Sequence, residues 1–465
     1  MSLENLRELL TAHGQDHVLQ YWDELSTEQQ QQLQTQIQEL DLKQLATLVA
    51  GADEKPDFAA MANNAEPPPA MRADGTGAKW SNEDAKARGE EALKAGEVGA
   101  VLVAGGQGTR LGFDQPKGMF PVGPVSGRTL FQLFADRLIA IGDLYGVNIP
   151  LYIMTSEATD APTKEYFEKN DYLGLDRNNI RIFKQGTMPA VDAATGKLLL
   201  QSKSSLALSP DGHGGTVGAL QRSGCFDDAD KRGVKHLAYF QVDNPLVGLC
   251  DPTLIGHHLL AQSEMTTQVV RKRYPMEKVG NVVIVDGSMQ IIEYSDLPES
   301  AAEATDDNGE IRLWAGNIAV HLIDVAFLKR MCDQSDALPF HRASKKVPYL
   351  NEQGESIAPA EPNATKFERF IFDLLPAAKN AFVVEVLPSE AFAPVKNADG
   401  AATDTPALAR QAISDLHRKW LQNAGANVGP EVLVEINPRY SLFPDQLAAK
   451  IPANLEITAD RYFDS

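Results

Sequence analysis

Apolar positions recur with one period at the start of the chain and with another from residue 98 onward. Over the first fifty residues the spacing is three and four, which places apolar side chains on single helical faces: Leu3, Leu6 and Leu10, then Leu33, Ile37 and Leu40. Ser26 and Gln29 have the spacing of a capping box ahead of the second group. The pattern predicts packed N-terminal helices, with the glutamines of EQQQQLQTQIQ forming a solvated face.

From Val98 the apolar segments become short runs, several of them separated by helical stretches: AVLVA, PLYIMTS, IRIFKQG, HLAYFQVDN, NVVIVDG and AFVVEVL. Strands that alternate with helices predict a largely parallel α/β sheet covered on both faces. The stretch from 51 to 80, with NNAEPPPA and ADGTGA, predicts an extended connection. We therefore expect a helical region and linker over 1–96, an α/β domain over 97–405, and a small C-terminal domain over 406–465, with a helix and a β-like tail.

Composition narrows the class of protein. The 465 residues exceed what one core normally serves, and 43% hydrophobic with 23% charged residues is the balance of a soluble globular protein. No apolar run reaches about 18 residues, so we expect no membrane helix. The N-terminus MSLENLRELL lacks the basic region of a signal peptide. Three widely spaced cysteines offer neither a disulfide framework nor a zinc site, which fits a reducing cytoplasm.

The net charge indicates which classes of partner the protein can bind. Lys and Arg number 43 and Asp and Glu 63, so 43 − 63 gives −20. Such a balance repels nucleic acid and anionic membranes, although it leaves room for a small anionic ligand beside local lysines. We expect no nucleic-acid or membrane partner, and a monomer or weak homo-oligomer.

The stretch VGAVLVAGGQGTRLGFDQPKGMFPV is an apolar run that breaks into glycines and then carries two cations. A P-loop would need Gly-Lys-Ser/Thr, but Lys117 lies between Pro116 and Gly118. A dinucleotide fingerprint would need a third glycine, but Gly106-Gln107-Gly108 is followed by TRL. A nucleotidyltransferase loop fits better, because main-chain N–H groups can approach a triphosphate while the cations add charge. The alternative is a tight turn with two surface cations.

Two further strand ends carry polar groups. Asp243 follows the run YFQV, and a carboxylate there can hold Mg²⁺ or simply cap an Asx turn. Gln185 follows IRIFK, and its amide has the donor and acceptor that suit a uracil edge. The segment SPDGHGG contains three glycines that could let the backbone approach a flat base, or form a turn around a solvated histidine.

These segments together resemble the eukaryotic-type UDP-sugar pyrophosphorylase family, most closely its UDP-N-acetylglucosamine branch. The resemblance rests on motifs in the same order along the chain: LVAGGQGTRLG with PKGMFPVG, IMTSEATDAPTKEYFEKNDYLGL, FKQGTMPA, SPDGHGG, YFQVDNPL, VGNVVIVDG with IIEYSDL, AGNIAVH, and KFERFIFDLLP with VEVLPSEAFAPVKNADG. It extends to about residue 420. It implies a Rossmann-like nucleotidyltransferase fold of the GT-A-like kind, a mixed sheet preceded by the helical region, with 97–405 as the catalytic domain.

The resemblance also implies roles for particular residues. Those expected to catalyse the reaction through their charge are Arg110, Lys117 and Lys396. Those expected to bind the nucleotide are Ala104, Gly105, Gly106, Gly108, Thr109, Gln185, Gly212, Asp243 and Lys366. Those expected to bind the sugar are His213, Glu293, Tyr294, Asn317, Phe370 and Phe372. Without the resemblance, Glu293 would be a surface acid, the lysines solvated, and Phe370 and Phe372 alternating strand or core residues.

The reaction implied is uridylyl transfer from UTP to a sugar 1-phosphate, giving a UDP-sugar and pyrophosphate. Asp243 would hold Mg²⁺, with Mn²⁺ as the alternative ion. The motifs favour N-acetylglucosamine 1-phosphate as the sugar, but His213 stands where that branch typically carries Asn, which keeps glucose 1-phosphate as an alternative. An alternative of another class is a non-catalytic UDP-sugar-binding protein on the same fold.

Overall fold

The computed structural model describes residues 1–51, 57–334 and 338–464. Contacts divide the chain into two compact units, one formed by the described parts of 1–57, 185–216 and 336–373 and the other by those of 58–184, 217–335 and 374–465. This division differs from the three consecutive segments expected from the sequence. The N-terminal helices pack on strands that come from much later in the chain, so that unit is discontinuous.

The first unit is built on the predicted helix faces. Its helices span Leu3–Ala12, Thr27–Gln38 and Leu42–Ala50. Leu6, Leu10 and Ile37 have no exposed surface and share an apolar cluster with Val191 and Phe367. The capping box at Ser26 is present as predicted. The strands of this unit are Thr187–Pro189, Val191–Asp192, Leu200–Ser202, Ser205–Leu206, Leu208–Pro210, His341–Lys345, Tyr349–Leu350, Ser356–Ile357 and Ala364–Glu368.

The second unit contains a ten-stranded mixed sheet. Eight strands lie in the spatial order Ala70–Met71, Phe382–Val386, Met265–Arg271, Ala315–Asp324, His236–Gln241, Val98–Val103, Leu151–Thr155 and Ile180–Lys184. The hairpin Gly280–Val285 and Ser288–Ile292 pairs beside Ala315–Asp324. Along the eight-strand order, only the pairings of Ala315–Asp324 are antiparallel, so the predicted largely parallel sheet is confirmed.

The remaining helices follow the predicted alternation with strands. They span Phe58–Asn64, Asn82–Lys94, Leu130–Tyr145, Glu157–Lys169, Thr216–Arg222, Cys225–Arg232, Pro252–Leu260, Glu299–Ala302, Val325–Cys332, Pro388–Ala391 and Pro406–Asn423. The expected extended connection over 51–80 is wrong where it contains helix Phe58–Asn64 and strand Ala70–Met71, which pairs with Phe382–Val386. Ala62 and Ala65 are fully buried against the Gly280–Val285 hairpin, and that burial orders the segment. Residues 52–56 of the connection lie outside the described part of the chain.

The C-terminal residues have an apolar cluster of their own. Leu421, Val434 and Leu447 are fully buried in it, and short strands span Asn427–Val428, Val434–Ile436, Glu456–Ile457 and Arg461–Phe463. Glu435 is 1% exposed and accepts hydrogen bonds from the backbone N–H groups of Val125 and Ser126. Among the helices in the described ranges, none combines the length and apolar content needed to cross a membrane.

Candidate active site

The strand order of the large sheet reverses beside Val98–Val103. The chain passes from this strand to Leu151–Thr155 and Ile180–Lys184 on one side, whereas His236–Gln241 lies on the other. Val98–Val103 and His236–Gln241 are parallel, with Val103 opposite Gln241. The glycine loop and Asp243 therefore leave the sheet at the same edge, at the kind of switch point where α/β sheets bind ligands.

The glycine loop, from Ala104 to Thr109, is hydrogen-bonded to neighbouring segments at its start and has free space beside Gly106. The Ala104 N–H donates to the Met154 carbonyl at 2.7 Å, and Ser156 Oγ donates to the Gly105 carbonyl at 2.9 Å. A Cβ on Gly108 would lie 2.7 Å from Phe113, so the turn itself requires that glycine. A Cβ on Gly106 would meet nothing within 4 Å. The space beside Gly106 is therefore open, and its role toward a ligand stays a prediction.

Four predicted charged residues meet at this edge, and we call Arg110, Lys117, Asp243 and Lys396 the charge cluster. Lys396 Nζ lies 4.0 Å from Asp243 Oδ2. The Val395 N–H donates to the Asp243 carbonyl at 2.8 Å, which holds the next residue, Lys396, beside the carboxylate. Burial lowers the pKa of Lys117, the charge of Asp243 opposes this shift, and the charges of Lys396 and Arg110 add to it. An anion placed here would relieve the repulsion among the three cations.

Asp404 is a neighbour of the charge cluster that the sequence motifs did not reveal. Its carbonyl accepts hydrogen bonds from the N–H groups of Lys396 and Asn397 at 2.8 and 3.0 Å. Burial raises the pKa of its carboxyl group, the charges of Lys396 and Arg273 lower it, and that of Asp243 raises it. Asp404 lies eight residues after Lys396, beyond the VKNADG motif, and its positive φ of 59° had no sequence signal.

Three of the predicted sugar residues also lie in this unit, and two of them, Glu293 and Asn317, lie on either side of strand Gly280–Val285. Gly280 pairs with Asn317, and a Cβ on Gly280 would lie 2.8 Å from Glu293 Oε1, which brings Glu293 and Asn317 near the same strand end. Asn317 Oδ1 accepts the Ala319 N–H at 3.0 Å, at a β-bulge where Ala319 has a φ of 55°. Tyr294 is 44% exposed. Glu293 itself is partly buried, so it is not the surface acid that the sequence alone would suggest.

The other unit holds an aromatic cluster formed by His213, His341, Phe370 and Phe372. The ring of His213 stacks on Phe370 with a centroid distance of 5.3 Å and lies 5.5 Å from Phe372. His341 lies 4.5 Å from Phe370, and its Nε2 is 2.7 Å from Asp373 Oδ2. The family resemblance placed His213 and both phenylalanines at the sugar, but neither it nor the sequence gave a signal for His341 or Asp373.

Phe370 and Phe372 do not alternate along a strand, as their spacing had suggested. The strand ends at Glu368, and a 3-10 helix begins at Ile371. The Arg369 N–H donates to the Asp211 carbonyl and the Ile371 N–H to His213 Nδ1, and these bonds turn the chain toward the SPDGHGG loop. The turn sets the two rings 5.0 Å apart in a stack.

The hydrogen bond to His213 fixes which of its nitrogens carries the proton. Its Nδ1 accepts the Ile371 N–H at 3.2 Å, so the proton of the neutral ring is on Nε2. Burial, with a smaller contribution from the nearby His341, lowers the pKa of His213 to about 4. At neutral pH the side chain therefore presents one donor, the Nε2–H group.

Close packing within this unit requires the glycines of SPDGHGG. Their expected approach to a base stays a prediction. A Cβ on Gly212 would lie 2.3 Å from the Arg369 carbonyl, and one on Gly214 would lie 2.7 Å from Phe370. A Cβ on Gly215 would lie 2.1 Å from the Asp211 carboxylate. These contacts bring the loop against the segment that carries the two phenylalanines.

Gln185 and Lys366 belong to the same unit as the aromatic cluster. Gln185 follows strand Ile180–Lys184 as predicted and is partly exposed. The next carbonyl, that of Gly186, accepts the Asp211 N–H at 3.1 Å, which connects the segment beginning at Gln185 to the SPDGHGG loop within this unit. Lys366 lies in strand Ala364–Glu368 opposite Ala343. Their roles toward a nucleotide stay predictions.

The fold and the charge cluster define a nucleotidyltransferase-like α/β protein. The sequence profile described as UTP--glucose-1-phosphate uridylyltransferase matches residues 71–452, and the chain belongs to this family. UDP-N-acetylglucosamine pyrophosphorylase of Saccharomyces cerevisiae is 36% identical over 96% of this chain and 97% of its own length. The human UDP-N-acetylhexosamine pyrophosphorylase-like protein 1 is 38% identical over 91% of this chain and 86% of its own. The crystal structure of the Trypanosoma brucei UDP-N-acetylglucosamine pyrophosphorylase superposes with a TM-score of 0.84 over 99% of each chain, at 25% identity.

Proposed function

We propose that this chain is a uridylyltransferase that makes UDP-N-acetylglucosamine and pyrophosphate from UTP and N-acetylglucosamine 1-phosphate. The observation that carries the proposal is the charge cluster at the switch point of the sheet. Membership of the family and the names of the relatives support the same reaction class.

The chemistry needs no protein nucleophile. An oxygen of the sugar phosphate attacks the α-phosphorus of UTP and forms the new P–O bond. The bond from that phosphorus to the oxygen bridging to the β-phosphate breaks, and pyrophosphate leaves with its electron pair. Positioning and charge stabilisation then account for the rate, as in other phosphoryl-group transfers.

The three cations of the charge cluster would have different roles in this reaction. Arg110 and Lys117 follow the open glycine loop and would stabilise charge on the α-phosphate and the leaving pyrophosphate. Lys396 would hold the incoming sugar phosphate. Because burial already lowers the pKa of Lys117, its ammonium is poorly solvated, and a phosphate oxygen would gain more from it than from an exposed lysine.

Asp243 fits a magnesium ion, with Mn²⁺ as the alternative. Its carboxylate is 14% exposed and lies among cations that phosphates would also contact, and the Asp404 carboxyl is close enough to influence the same region. Mg²⁺ accepts one or two carboxylates and completes its shell with water and phosphate oxygens. The ion would supply further neutralisation of the triphosphate charge. We propose Asp243 as a protein ligand and Asp404 as the candidate second one.

The aromatic cluster bears on the choice of sugar. We propose that Phe370 and Phe372 border the acetamido group and that His213 donates its Nε2–H to the substituent at C2. A neutral imidazole offers one donor where an Asn amide offers both a donor and an acceptor. This difference weakens discrimination between an acetamido and a hydroxyl group, so glucose 1-phosphate is a second candidate substrate. Glu293, Tyr294 and Asn317 would meet the sugar hydroxyls.

The other predicted nucleotide-binding residues have proposed roles of their own. Main-chain groups of the loop from Ala104 to Thr109 would approach the phosphates. Gln185 would contact uracil, the backbone at Gly212 would pack on the base, and Lys366 would contact a phosphate. The partly exposed position of Gln185, with its amide at a strand end, supports its part of this assignment.

We also propose that the protein works in the cytoplasm without a nucleic-acid or membrane partner. The net charge of −20 and the thiols of Cys225 and Cys250, both buried and unpaired, support this setting.

The test is a panel of sugar 1-phosphates, supplied with UTP and Mg²⁺ while pyrophosphate release is measured. N-acetylglucosamine 1-phosphate should have the highest kcat/KM, followed by glucose 1-phosphate. Binding of UDP-sugars without pyrophosphate release from any of the sugars would instead identify a non-catalytic binding protein. A preference for glucose 1-phosphate would reassign the substrate while keeping the reaction.

A further inference from the structure

A second group of polar side chains lies in the large unit, at the opposite edge of the sheet from the charge cluster. His236 is the first residue of strand His236–Gln241, and Asp243 comes two residues after its end. Seven residues of extended chain separate the two positions by about 23 Å. Asp324 ends the antiparallel neighbour strand and pairs with His236 in register. His258, on helix Pro252–Leu260, completes the group.

The three side chains converge on one carboxylate oxygen. His236 Nδ1 lies 2.6 Å and His258 Nε2 lies 2.9 Å from Asp324 Oδ1. The potential ligand atoms all lie within 4.8 Å of one another. The two rings are 5.1 Å apart and nearly perpendicular, at 81°, so their nitrogens approach the oxygen from different directions.

We propose that His236, His258 and Asp324 form a zinc site that fastens helix Pro252–Leu260 to the two strand ends. Two imidazole nitrogens, one carboxylate oxygen and an open fourth position match the ligand sets of zinc, whereas Mg²⁺ and Ca²⁺ prefer oxygen ligands throughout. Bonds of 2.0–2.1 Å in a tetrahedron separate ligand atoms by about 3.3 Å. The present distances of 2.6 and 2.9 Å would open by about half an ångström.

The orientation of the Asp324 side chain suits a metal ligand rather than a helix cap. It is the N-cap residue of helix Val325–Cys332, a position where aspartate usually accepts a hydrogen bond from the helix backbone. Its side chain makes no capping bond and is turned to the two histidines instead. Its own N–H donates to the Glu264 carbonyl at 3.0 Å, which fixes the backbone. The side chain is 28% exposed, which gives an ion and its water a path from solvent.

Thr266 supplies the outer hydrogen bond that metal-binding histidines need. His258 Nδ1 lies 2.9 Å from Thr266 Oγ1, and both residues are at most 1% exposed. In the structure the Asp324 carboxylate can only accept, so His258 Nε2 donates to it. With an ion on Nε2, Nδ1 would carry the proton and donate it to Thr266 Oγ1. Such partners orient the ring and select its tautomer in metal sites.

The neighbouring charges do not compete for the ion. Lys235 forms an ion pair with Glu97, and Glu264 is held by Arg330 at 2.6 Å. Helix Pro252–Leu260 is itself fixed, because a Cβ on its Gly256 would lie 1.6 Å from the Ala85 carbonyl of helix Asn82–Lys94. Because these neighbouring charges are already paired, Asp324 supplies the anionic ligand. His258 stands on a helix that close packing holds in place.

The experiment titrates Zn²⁺ into metal-stripped full-length protein against a fluorescent chelator. We expect one zinc per chain, a rise in Tm on loading, and X-ray absorption showing two imidazoles with low-Z ligands at about 2.0–2.1 Å. Asp324→Asn and His258→Gln should each weaken zinc binding about 100-fold or more. Thr266→Val should weaken it about tenfold while the ligands remain, and His13→Gln, a histidine far along the sequence, should change nothing.

No zinc bound at micromolar concentration by folded wild-type protein would overturn the proposal, leaving a hydrogen-bonded cluster. Zinc bound with unchanged affinity in both Asp324→Asn and Thr266→Val would overturn it as well, because the ion would then lie elsewhere. If His258→Gln fails to fold, those two variants and the absorption spectrum still decide.

Discussion

The charge cluster and the aromatic cluster are held in place by different means. Lys117 and Asp243 sit on loops that directly follow two adjacent parallel strands, so sheet pairing alone brings them to one edge. His213 and Phe370 are 157 positions apart in the numbering, and they meet through backbone bonds between two loops and a ring stack. The first arrangement tolerates changes in packing, whereas the second depends on it. We therefore expect catalysis to depend most on the charge cluster and sugar choice on the aromatic cluster.

Metal removal should have the largest effect, because it withdraws charge from the reaction centre. Activity should disappear in excess EDTA and return with Mg²⁺ or Mn²⁺ alone. Asp243→Asn keeps the shape but removes the anion, so it should raise the metal concentration needed for half-maximal rate and lower kcat. The measurement is pyrophosphate release against free Mg²⁺. Full activity in EDTA would show that the reaction does not need the metal ion.

Lys117→Ala should lower kcat about 100-fold or more, the scale for losing one charge-stabilising donor. The Tm should hold, because burial of this charge without a substrate is unfavourable in the free protein. Lys79→Ala, at an exposed lysine of the same unit, is the matched control and should behave as wild type. A kcat near the wild-type value in Lys117→Ala would show that the lysine does not act on the reacting phosphate.

The residues changed in these two predictions, Asp243 and Lys117, could be identified from the sequence. The glycine loop and Asp243 were predictable because strand ends and glycines leave local signals, whereas Lys396 came only from the family resemblance. Asp404 had none, since its place depends on a loop returning to the Lys396 backbone. His341, Asp373 and the group around Asp324 were missed because each depends on pairing between segments far apart in sequence. The packing role of Gly212 was likewise hidden, because it is set by Arg369.

His213→Asn should change the choice of sugar by about tenfold. An amide in place of the neutral imidazole can both donate to and accept from an acetamido group, so the ratio of kcat/KM should shift toward N-acetylglucosamine 1-phosphate. Tenfold corresponds to about 1.4 kcal/mol in the transition state. The two sugar phosphates are compared in wild type and variant at saturating UTP. An unchanged ratio would mean that His213 does not contact C2.

Acid should destabilise the fold modestly through two partly buried histidines. Burial lowers the pKa of His213 and His417 to about 4, and His417 Nδ1 accepts the Ile436 N–H. Between pH 6.5 and about 4 the unfolded chain binds protons that the folded chain does not, so their contribution to stability falls as pH is lowered and levels off below about 4. Each histidine accounts for at most about 1.4 kcal/mol per pH unit.

Urea unfolding of wild type, His213→Asn and His417→Gln across this pH range measures that contribution. Each variant should show a shallower loss of stability than wild type. A loss of stability just as steep in both variants would mean that the two rings are protonated equally in the folded and unfolded states.

Phosphorus NMR of a single mixture can show whether the charge cluster transforms UTP or only binds it. Wild-type protein, Mg²⁺, UTP and N-acetylglucosamine 1-phosphate are followed in time, with Lys117→Ala in parallel. We expect the UTP signals to decline while UDP-N-acetylglucosamine and pyrophosphate appear in equal amounts, and the variant to do this at least about 100-fold more slowly. A spectrum that stays unchanged with wild-type protein, while UDP-N-acetylglucosamine still binds to it, would contradict the account.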